Sequence, residues 1–289
     1  MPAAVAVTVA EWLDVAAADL GAVGVETPRV DAEWLLAHCL AVPRVALRMA
    51  PLRAVDGDVA SCFAAALARR VRREPLQQIM GSQEFRGVRV AVTRHVLVPR
   101  PETEVLVEWA LELLPAGGPL VVDVGTGSGC IACAMAAERP TARVIALERS
   151  AHAAAVERAN AADLGGRVRV LVGDLFAPLG DVRADLIVSN PPYLDAALLA
   201  ALPPEVAEFE PRMAVDGGAD GLDVIRPLVA GARAHLRPGA ALVLETAGGE
   251  QARRVAALLE AADFTQVSLR RDLAGVERFV AGRAPAEVA

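Results

Sequence analysis

The chain has 289 residues, enough for one large α/β domain and a smaller companion, since single domains usually comprise about 100 to 200 residues. Hydrophobic residues make up 54%, yet no segment approaches the roughly 18 consecutive apolar residues of a membrane-spanning helix. The net charge of −7 argues against binding driven by nucleic-acid phosphates, and the absence of lysine excludes a P-loop lysine and a Schiff-base lysine.

The N-terminal sequence and the cysteines carry no sign of secretion or of metal binding. The opening MPAAVAVTVAEWLD lacks a basic segment before its apolar residues, so we predict no secretory signal and a cytoplasmic protein. Cys130 and Cys133 form a CxxC pair at helical spacing just after a glycine turn, with no second pair and with only scattered histidines. Structural zinc needs four convergent ligands, so we predict no metal site.

The first segment, residues 1–74, is predicted to be a small helical domain. Between Val7 and Arg73 the apolar residues recur at helical spacing, and no strand-like alternation occurs. Trp12 and Trp34 lie on this pattern; a binding surface is one interpretation, but aromatic residues at helical spacing more often pack in a core.

Residues 75–100 are predicted to form a β-hairpin linker. Short β-prone pieces, Gln83–Arg86 and Val88–Val92, flank Gly87, which suits a tight turn. A helix should then begin at Pro101, because proline fits the first helical position, and Glu102 complements the positive end of the helix dipole.

From residue 101 to residue 289 strands alternate with helices, which indicates a mostly parallel α/β sheet. Several strands are almost continuously apolar, as in a sheet covered on both faces. Seven strands are predicted: Leu120–Val124, Arg143–Leu147, Val168–Val172, Ala184–Ser189, Ala240–Glu245, Gln266–Arg270 and Arg278–Ala281. The intervening helices are predicted at Cys130–Arg139, His152–Leu164, Val224–Leu236 and Glu250–Ala261.

A glycine-rich turn follows the first of these strands and predicts a cofactor site. It reads Asp123-Val124-Gly125-Thr126-Gly127-Ser128-Gly129, with glycines that let a ligand approach the backbone closely. The spacing G-x-G-x-G differs from the G-x-G-x-x-G of dinucleotide-binding folds, whose last position is here Cys130. S-adenosylmethionine has no pyrophosphate and can meet an acidic residue such as Asp123 through its amino-acid portion, so the turn favours this methyl donor over NAD.

Two further strand ends complete the predicted cofactor site. Glu148 ends the next strand about twenty residues later, where a carboxylate can accept hydrogen bonds from both ribose hydroxyls. The alternative is a surface glutamate that caps the helix after Ser150. Asp174 follows the third strand and could accept from the adenine amine, with Leu175 and Phe176 as apolar cover.

The segment after the fourth strand, Asn190-Pro191-Pro192-Tyr193, is the candidate catalytic site. Ligands of open α/β sheets bind beyond the carboxyl ends of the strands. The Asn190 side-chain oxygen and the Pro191 carbonyl would accept both hydrogens of an –NH₂ group, and Tyr193 would stack on it. Such a clamp suits an amide or aromatic amine, whose lone pair is delocalised and must be oriented toward the methyl group. A plain proline turn is the structural alternative.

At these residues the chain resembles the peptide-chain release factor glutamine methyltransferases, which modify the glutamine of the release factors' GGQ loop. The resemblance covers nearly the whole chain: the signature Val98-Pro99-Arg100-Pro101-Glu102-Thr103-Glu104, the tetrapeptide at 190–193 and the segment 205–222. Related enzymes that act on a ribosomal-protein glutamine resemble P-R-S-P where this chain has Pro99-Arg100-Pro101-Glu102. Nucleic-acid amine methyltransferases share the tetrapeptide but usually lack the helical front domain.

The resemblance implies a Rossmann-like class I methyltransferase domain behind a helical domain that holds the release factor. It implies S-adenosylmethionine as cofactor at Asp123, Gly125–Gly129, Glu148, Asp174, Leu175 and Asn190, and substrate contacts at Arg100, Glu102 and residues 190–193. It implies neither a membrane nor a direct nucleic-acid substrate, and a monomer is the default expectation. Two alternatives stay open: a methyltransferase for a ribosomal-protein glutamine or a nucleic-acid amine, and a binding protein without catalysis.

Three residues or segments depart from the pattern of the family. Glu148 replaces the aspartate most common at the ribose position, and Leu175 stands where an aromatic residue is frequent. The segment Glu245-Thr246-Ala247-Gly248 differs from the common E-I-G after the fifth strand. None of the three lies in the amide clamp.

Overall fold

The computed structural model describes residues 7–286, so part of the N-terminal stretch used to predict the absence of a secretory signal lies outside it. The chain forms two compact units. One contains the residues up to Gly81 together with Pro203–Phe209, and the other contains Ser82–Leu202 and the residues from Glu210 onward. Between residues 7 and 286, no helix combines the length and the apolar character needed to cross a membrane.

The first unit is helical, as its apolar spacing predicts. With helices numbered in chain order, it contains α1 (Val9–Ala22), α2 (Pro28–Leu40), α3 (Val45–Met49), α4 (Gly57–Val71), α5 (Leu76–Met80) and, later in the chain, α10 (Pro204–Phe209). A capping box formed by Thr8 and Glu11 starts α1, and Asp56 caps α4. The helices enclose a core of fully buried side chains that includes Leu20, Leu36 and Phe63.

The two tryptophans of this unit have different environments. Trp12 packs against Phe63 edge to face, with ring centroids 5.7 Å apart. Trp34 instead is 42% exposed and lies under the guanidinium of Arg44, whose Cζ is 5.0 Å from the ring centroid. The expectation that both pack in the core is therefore wrong for Trp34, because helical spacing does not say which face of α2 is covered.

Covalent and ionic links join the helices of the first unit. A disulfide joins Cys39 at the end of α2 to Cys62 in α4. The sequence did not predict this pair, whose members are 23 positions apart. Buried Arg70 binds Asp31 at 2.7 Å and Glu205 at 2.9 Å, and Arg73 holds both carboxylate oxygens of Glu205 at 2.6 and 2.7 Å. Bidentate pairs between arginine and carboxylate add geometric specificity as well as energy. Glu205, which is bound by Arg70 and Arg73, therefore anchors α10 in this unit.

The first unit ends at Gly81 rather than at the predicted boundary, residue 74. The residues after Pro75 form α5, whose Ile79 is buried in the helical core, so the predicted linker is divided. The hairpin consists of β1 (Ser82–Phe85) and β2 (Val88–Ala91) and belongs to the second unit. Arg86 and Gly87 form its turn with φ of 45° and 72°, the left-handed conformations typical of a two-residue hairpin.

The second unit contains the predicted seven-stranded, mostly parallel sheet. Its strands are β3 (Leu120–Val124), β4 (Arg143–Glu148), β5 (Val168–Val172), β6 (Ala184–Ser189), β7 (Leu236–Glu245), β8 (Thr265–Arg271) and β9 (Glu277–Arg283), in the spatial order β5-β4-β3-β6-β7-β9-β8. Strands β3 to β7 pair in parallel, and β9 pairs antiparallel with β7 and β8. The predicted α/β fold class is confirmed.

Helices cover both faces of this sheet. They are α6 (Pro101–Leu113), α7 (Cys130–Glu138), α8 (Ala151–Asn160), α9 (Ala196–Ala200), α11 (Ile225–Ala232) and α12 (Glu250–Ala261). Two buried clusters, one on each face, contain residues of alternating position in β3, such as Val121 and Val122. The five-residue α9 was not predicted, because so short a helix gives no periodic signal. The strand order runs from β3 to β5 on one side and from β6 to β7 on the other, so the carboxyl ends of the parallel neighbours β3 and β6 lie side by side.

Helix α8 places two polar side chains beneath the glycine turn after β3. Asn160 donates through Nδ2 to the Ser128 carbonyl at 2.8 Å and accepts through Oδ1 from the Ala91 N–H at 2.7 Å. Glu157 is fully buried, and a Cβ added to Gly129 would lie 2.5 Å from its Cγ. Glycine is therefore required at position 129, which also has φ of 78°.

Below the glycine turn, the buried carboxyl groups of Asp123 and Glu157 both contact the hydroxyl of Thr126. Thr126 Oγ1 lies 2.7 Å from Asp123 Oδ2 and 3.0 Å from Glu157 Oε1. A hydroxyl donates a single hydrogen, so both contacts are hydrogen bonds only if one carboxyl is protonated. Burial and then the charge of Asp123 raise the pKa of Glu157 to about 9, whereas burial raises the pKa of Asp123 to about 7. Glu157 therefore holds the proton at neutral pH.

We predict that Glu157→Gln weakens the pH dependence of the free energy of unfolding. The pKa of Glu157 is near its ordinary value of 4.5 when the chain is unfolded and about 9 in the fold. Its contribution to stability is therefore fully present below the unfolded pKa and is lost as pH rises toward the folded pKa. A neutral amide has no such loss. From about pH 5 to about pH 8.5, the variant should gain at least about 1.4 kcal/mol relative to the unaltered protein, the equivalent of one pKa unit.

Urea denaturation followed by circular dichroism measures this difference. Glu260→Gln, on the exposed side of α12, is the matched control and should show the same pH dependence as the unaltered protein. A difference in free energy of unfolding that stays constant between the two proteins from pH 5 to pH 8.5 would contradict the prediction, because it would mean that folding does not raise the pKa of Glu157.

Candidate active site at the carboxyl ends of the strands

A cavity lies at the carboxyl ends of β3, β4, β5 and β6, entirely within the second unit. Its wall contains the glycine turn, the end of β4, the turn after β5 and the segment after β6. The lining residues include Arg100, Thr103, Gly125, Thr126, Gly127, Ser128, Glu148, Gly173, Asp174, Leu175, Asn190, Pro191 and Pro192. Most of the residues predicted to bind cofactor or substrate therefore line one cavity.

The glycine turn presents bare backbone to this cavity. Gly125 and Gly127 have φ of 72° and 60°, and a Cβ built on either would meet no atom within 4 Å. The N–H groups of Gly125 and Thr126 both donate to the Leu147 carbonyl, at 2.8 and 3.1 Å, so the turn is fastened to β4. This open cradle fits a ligand that must approach the backbone closely, as S-adenosylmethionine would.

Glu148 lies at the base of the cavity and organises its neighbours. Oε2 accepts from the Gly127 N–H at 2.9 Å, and Oε1 accepts from the Ser150 N–H at 2.7 Å. The Glu148 side chain thus accepts a hydrogen bond at the start of α8, as expected if it caps this helix, and it also lines the cavity. Each carboxylate oxygen has a second lone pair, so the carboxylate can still accept from a diol such as ribose.

Of the three residues expected around the adenine, all in the turn after β5, two line the cavity and one does not. Asp174 and Leu175 line the cavity, and Leu175 adopts a left-handed backbone conformation with φ of 43°. Phe176 does not line it: the ring is buried and stacks on His235, with centroids 4.9 Å apart. The expected apolar cover from Phe176 is therefore wrong, because its side chain belongs to the core behind the turn.

The candidate catalytic tetrapeptide begins directly after β6. Ser189 Oγ donates to the Val124 carbonyl at 2.6 Å, which ties the end of β6 to the end of β3. Asn190, Pro191 and Pro192 line the cavity, whereas Tyr193 lies behind them and donates its hydroxyl to Glu245 Oε1 at 3.3 Å. Burial raises the pKa of Tyr193, so the phenol stays neutral.

The remaining predicted site residues differ in position, and Gly129, at the end of the glycine turn, does not line the cavity. Arg100 lines the cavity and binds Glu210 Oε2 at 2.7 Å, while Glu102 is exposed outside the lining. Asp123 is fully buried below the glycine turn and does not line the cavity. It therefore supports the turn through Thr126 in this structure. Within residues 7–286, no cluster of three or more His, Cys, Asp or Glu side chains could hold a metal ion.

Two residues next to Asn190 were not singled out as site residues from the sequence: Thr103, which lines the cavity, and Glu245, which lies behind it. Thr103 and Glu245 are almost fully buried and hydrogen-bonded to each other at 2.8 Å, and Asn190 donates to Thr103 at 3.1 Å. Thr103 lies inside the signature 98–104, and Glu245 ends a predicted strand next to the strand that precedes Asn190. For Glu245 the signals were its position at a strand end and its place in the segment 245–248 that was compared with the family.

Comparison with known proteins gives matches over both parts of the chain. Residues 11–81 match the PrmC N-terminal domain, and residues 103–201 match the methyltransferase small domain. The chain is 44% identical over 276 residues to the release factor glutamine methyltransferase of Geobacter sulfurreducens, with 96% of both chains covered. It is 46% identical over 279 residues to the enzyme of the same name from Cereibacter sphaeroides, covering 96% of this chain and 99% of that relative.

Solved structures share the fold at lower sequence identity. A methyltransferase from Pyrococcus furiosus has 18% identity and a TM-score of 0.52, with 69% of this chain and 90% of that chain covered. A 16S rRNA N2 methyltransferase from T. thermophilus, in complex with AdoMet and guanosine, has 23% identity and a TM-score of 0.51, with 70% and 49% covered. These similarities support the Rossmann-like methyltransferase fold of the second unit.

The resemblance predicted from the tetrapeptide and the signature is confirmed by the identity to these relatives over nearly the full length. The chain belongs to the release factor glutamine methyltransferase family.

Proposed function

We propose that this chain transfers the methyl group of S-adenosylmethionine to the side-chain amide nitrogen, N5, of the glutamine in the GGQ motif of peptide-chain release factors. The observation that carries the proposal is the cavity that contains both the bare glycine turn and Asn190 with its two prolines. The relatives named above carry this activity in their names, and they extend over both units of the chain.

The cofactor would lie along the carboxyl ends of β3, β4 and β5. The turn Gly125–Gly129 would accommodate its amino-acid portion, Glu148 its ribose, and Asp174 with Leu175 its adenine. All of these except Gly129 line the cavity. When bound, S-adenosylmethionine supplies an electrophilic methyl group on a sulfonium ion. The fixed backbone of the turn would orient this group.

The substrate amide would be held by two acceptors of the tetrapeptide. The Oδ1 of Asn190 and the carbonyl of Pro191 can each accept one hydrogen of the –NH₂ group, because neither needs its lone pairs for an internal bond. Proline carries no N–H that could compete at positions 191 and 192. The amide nitrogen is thereby aimed at the methyl group. The new nitrogen–carbon bond would replace the sulfur–carbon bond of the donor, and the nitrogen would give up one proton to solvent. Fixed dipoles of this kind can lower a barrier by several kcal/mol.

The first unit, which carries the match to the PrmC N-terminal domain, would hold the release factor. Arg100 would contact the substrate from the cavity wall, and Glu102 from the surface beside it. The cytoplasmic location and the monomeric state expected from the sequence belong to the same proposal, as does the absence of a nucleic-acid substrate.

We predict that the purified protein transfers labelled methyl groups to an intact release factor but not to its GGQ→GGA variant. The glutamine amide is the only nitrogen that changes between the two substrates. Scintillation counting and peptide mass spectrometry measure the label and its position. A ribosomal protein and structured RNA serve as parallel acceptors. Label on either of these alone would contradict the substrate assignment.

We predict that Asn190→Ala lowers kcat on the release factor by at least about 100-fold, because one of the two acceptors is lost. Affinity for S-adenosylmethionine should change little, since the glycine turn and Glu148 are untouched. Single-turnover kinetics and isothermal titration calorimetry separate the two effects.

The chain offers a matched control, because Asn160 is its only other asparagine. Asn160 fastens the Ser128 carbonyl under the cofactor turn, so Asn160→Ala should weaken cofactor binding more than it lowers kcat at saturating cofactor. Near-normal kcat in Asn190→Ala would refute the amide clamp.

A further inference from the structure

A short hydrogen-bond chain connects Asn190 to a buried carboxylate. Asn190 Nδ2 donates to Thr103 Oγ1 at 3.1 Å, and Thr103 Oγ1 donates to Glu245 Oε2 at 2.8 Å. Thr103 is 2% exposed and Glu245 is 1% exposed, so water does not compete for these bonds. The three residues come from the first turn of α6, the residue after β6 and the end of β7.

The chemistry of the three groups fixes the direction of every bond. An ionised carboxylate can only accept, so the single hydrogen of the Thr103 hydroxyl is directed to Glu245. The hydroxyl oxygen then has only lone pairs to offer Asn190 and must receive an N–H. If the carboxamide were turned by 180°, Oδ1 would face these lone pairs, and a buried hydrogen bond would be lost at a cost of about 1 to 3 kcal/mol.

The same carboxylate also holds the far end of the tetrapeptide. Glu245 Oε1 accepts from the Tyr193 hydroxyl at 3.3 Å, and Gln251 Nε2 donates to the Tyr193 carbonyl at 2.8 Å. Strands β6 and β7 are parallel neighbours with Ser189 opposite Leu244, which brings the ends of both strands together. Glu245 is thus linked to both ends of the segment 190–193.

We propose that Thr103 and Glu245 are positioning residues that hold the Asn190 carboxamide with Oδ1 toward the substrate. The inference rests on the proposed function, in which Oδ1 accepts a hydrogen of the glutamine amide. A turned carboxamide would present an –NH₂ group to another –NH₂ group, and the clamp would become repulsive. The network therefore determines whether Asn190 acts as an acceptor.

The network has a pH signature, because its direction depends on an ionised Glu245. Burial raises the pKa of Glu245 to about 7; the hydrogen bond from Thr103, the charge of Arg278 on β9 and the Tyr193 hydroxyl oppose this rise, and Glu102 on α6 adds to it. A protonated Glu245 can donate to Thr103, whose hydrogen is then free for Asn190 Oδ1. Turnover should therefore rise with pH through about 7.

We predict that Thr103→Val lowers kcat on the release factor about 10-fold or more, the equivalent of roughly 1.4 kcal/mol or more. Valine keeps the volume of threonine but offers no acceptor to Asn190. Affinity for S-adenosylmethionine should stay within about twofold, because the hydrogen bond that is lost joins Thr103 to Asn190 and not to the cofactor. Thr103→Ser, which keeps the hydroxyl, should restore most of kcat, and the exposed Thr141→Val serves as the matched control.

A second readout needs no methyl acceptor. The chain contains two asparagines, so protein labelled with ¹⁵N-asparagine gives two side-chain amide signals, assigned with Asn160→Ala. The Asn190 signal should shift with pH through the ionisation of Glu245, and this shift should be absent in Thr103→Val and in Glu245→Gln. The shift would be seen even if the unaltered protein methylated no release factor, so failure of the proposed function is distinguishable from failure of this inference.

Three outcomes would overturn the proposal. One is a Thr103→Val variant with unaltered kcat and an unaltered pH profile. Another is an Asn190 amide signal that is independent of pH in the unaltered protein. If Thr103→Ser loses as much activity as Thr103→Val while both remain folded by circular dichroism, Thr103 has a packing role, which also contradicts the proposal.

Discussion

The parallel pairing of β3 with β6 is the constraint on which the rest of the site depends. Asp123 lies opposite Val188 in this pairing, so both strands end at the same edge of the sheet. The glycine turn continues from one strand and Asn190 from the other, and the bond from Ser189 to the Val124 carbonyl fastens the two ends. A methyl donor and an acceptor amide can meet only if these two loops share a cavity. The strand order achieves this, although the loops are about 60 residues apart in sequence.

Buried polar groups then stiffen both sides of the cavity. On the cofactor side, Glu157 and Asp123 hold Thr126 from below, and Asn160 holds Ser128. On the substrate side, Thr103 and Glu245 hold Asn190. Burying these groups costs solvation, and hydrogen bonds inside the fold offset part of that cost. Among the described residues, Asp123 Oδ1 and Glu157 Oε2 have no hydrogen-bond partner. Preorganisation of this kind suits a reaction that uses no strong base and relies on orientation.

The sequence allowed the sheet and most of the cavity to be predicted, since long apolar strands and the glycine turn are local patterns. The bounds of β3 and β6 agree with the prediction, and so do the lining positions of Glu148 and Asn190. The failures depend on long-range contacts. The exposure of Trp34, the core position of Phe176 and the inclusion of α10 in the first unit are determined by which surfaces meet. Periodicity identifies a face but not its partner.

A crystal structure with S-adenosylhomocysteine and a glutamine-containing GGQ peptide tests the central claim most directly. We expect the glutamine side-chain nitrogen to lie at hydrogen-bond distance, about 2.7 to 3.2 Å, from both Asn190 Oδ1 and the Pro191 carbonyl, and to face the sulfur. A peptide amide bound away from the tetrapeptide, or an Asn190 side chain that directs its –NH₂ group to the peptide, would contradict the account.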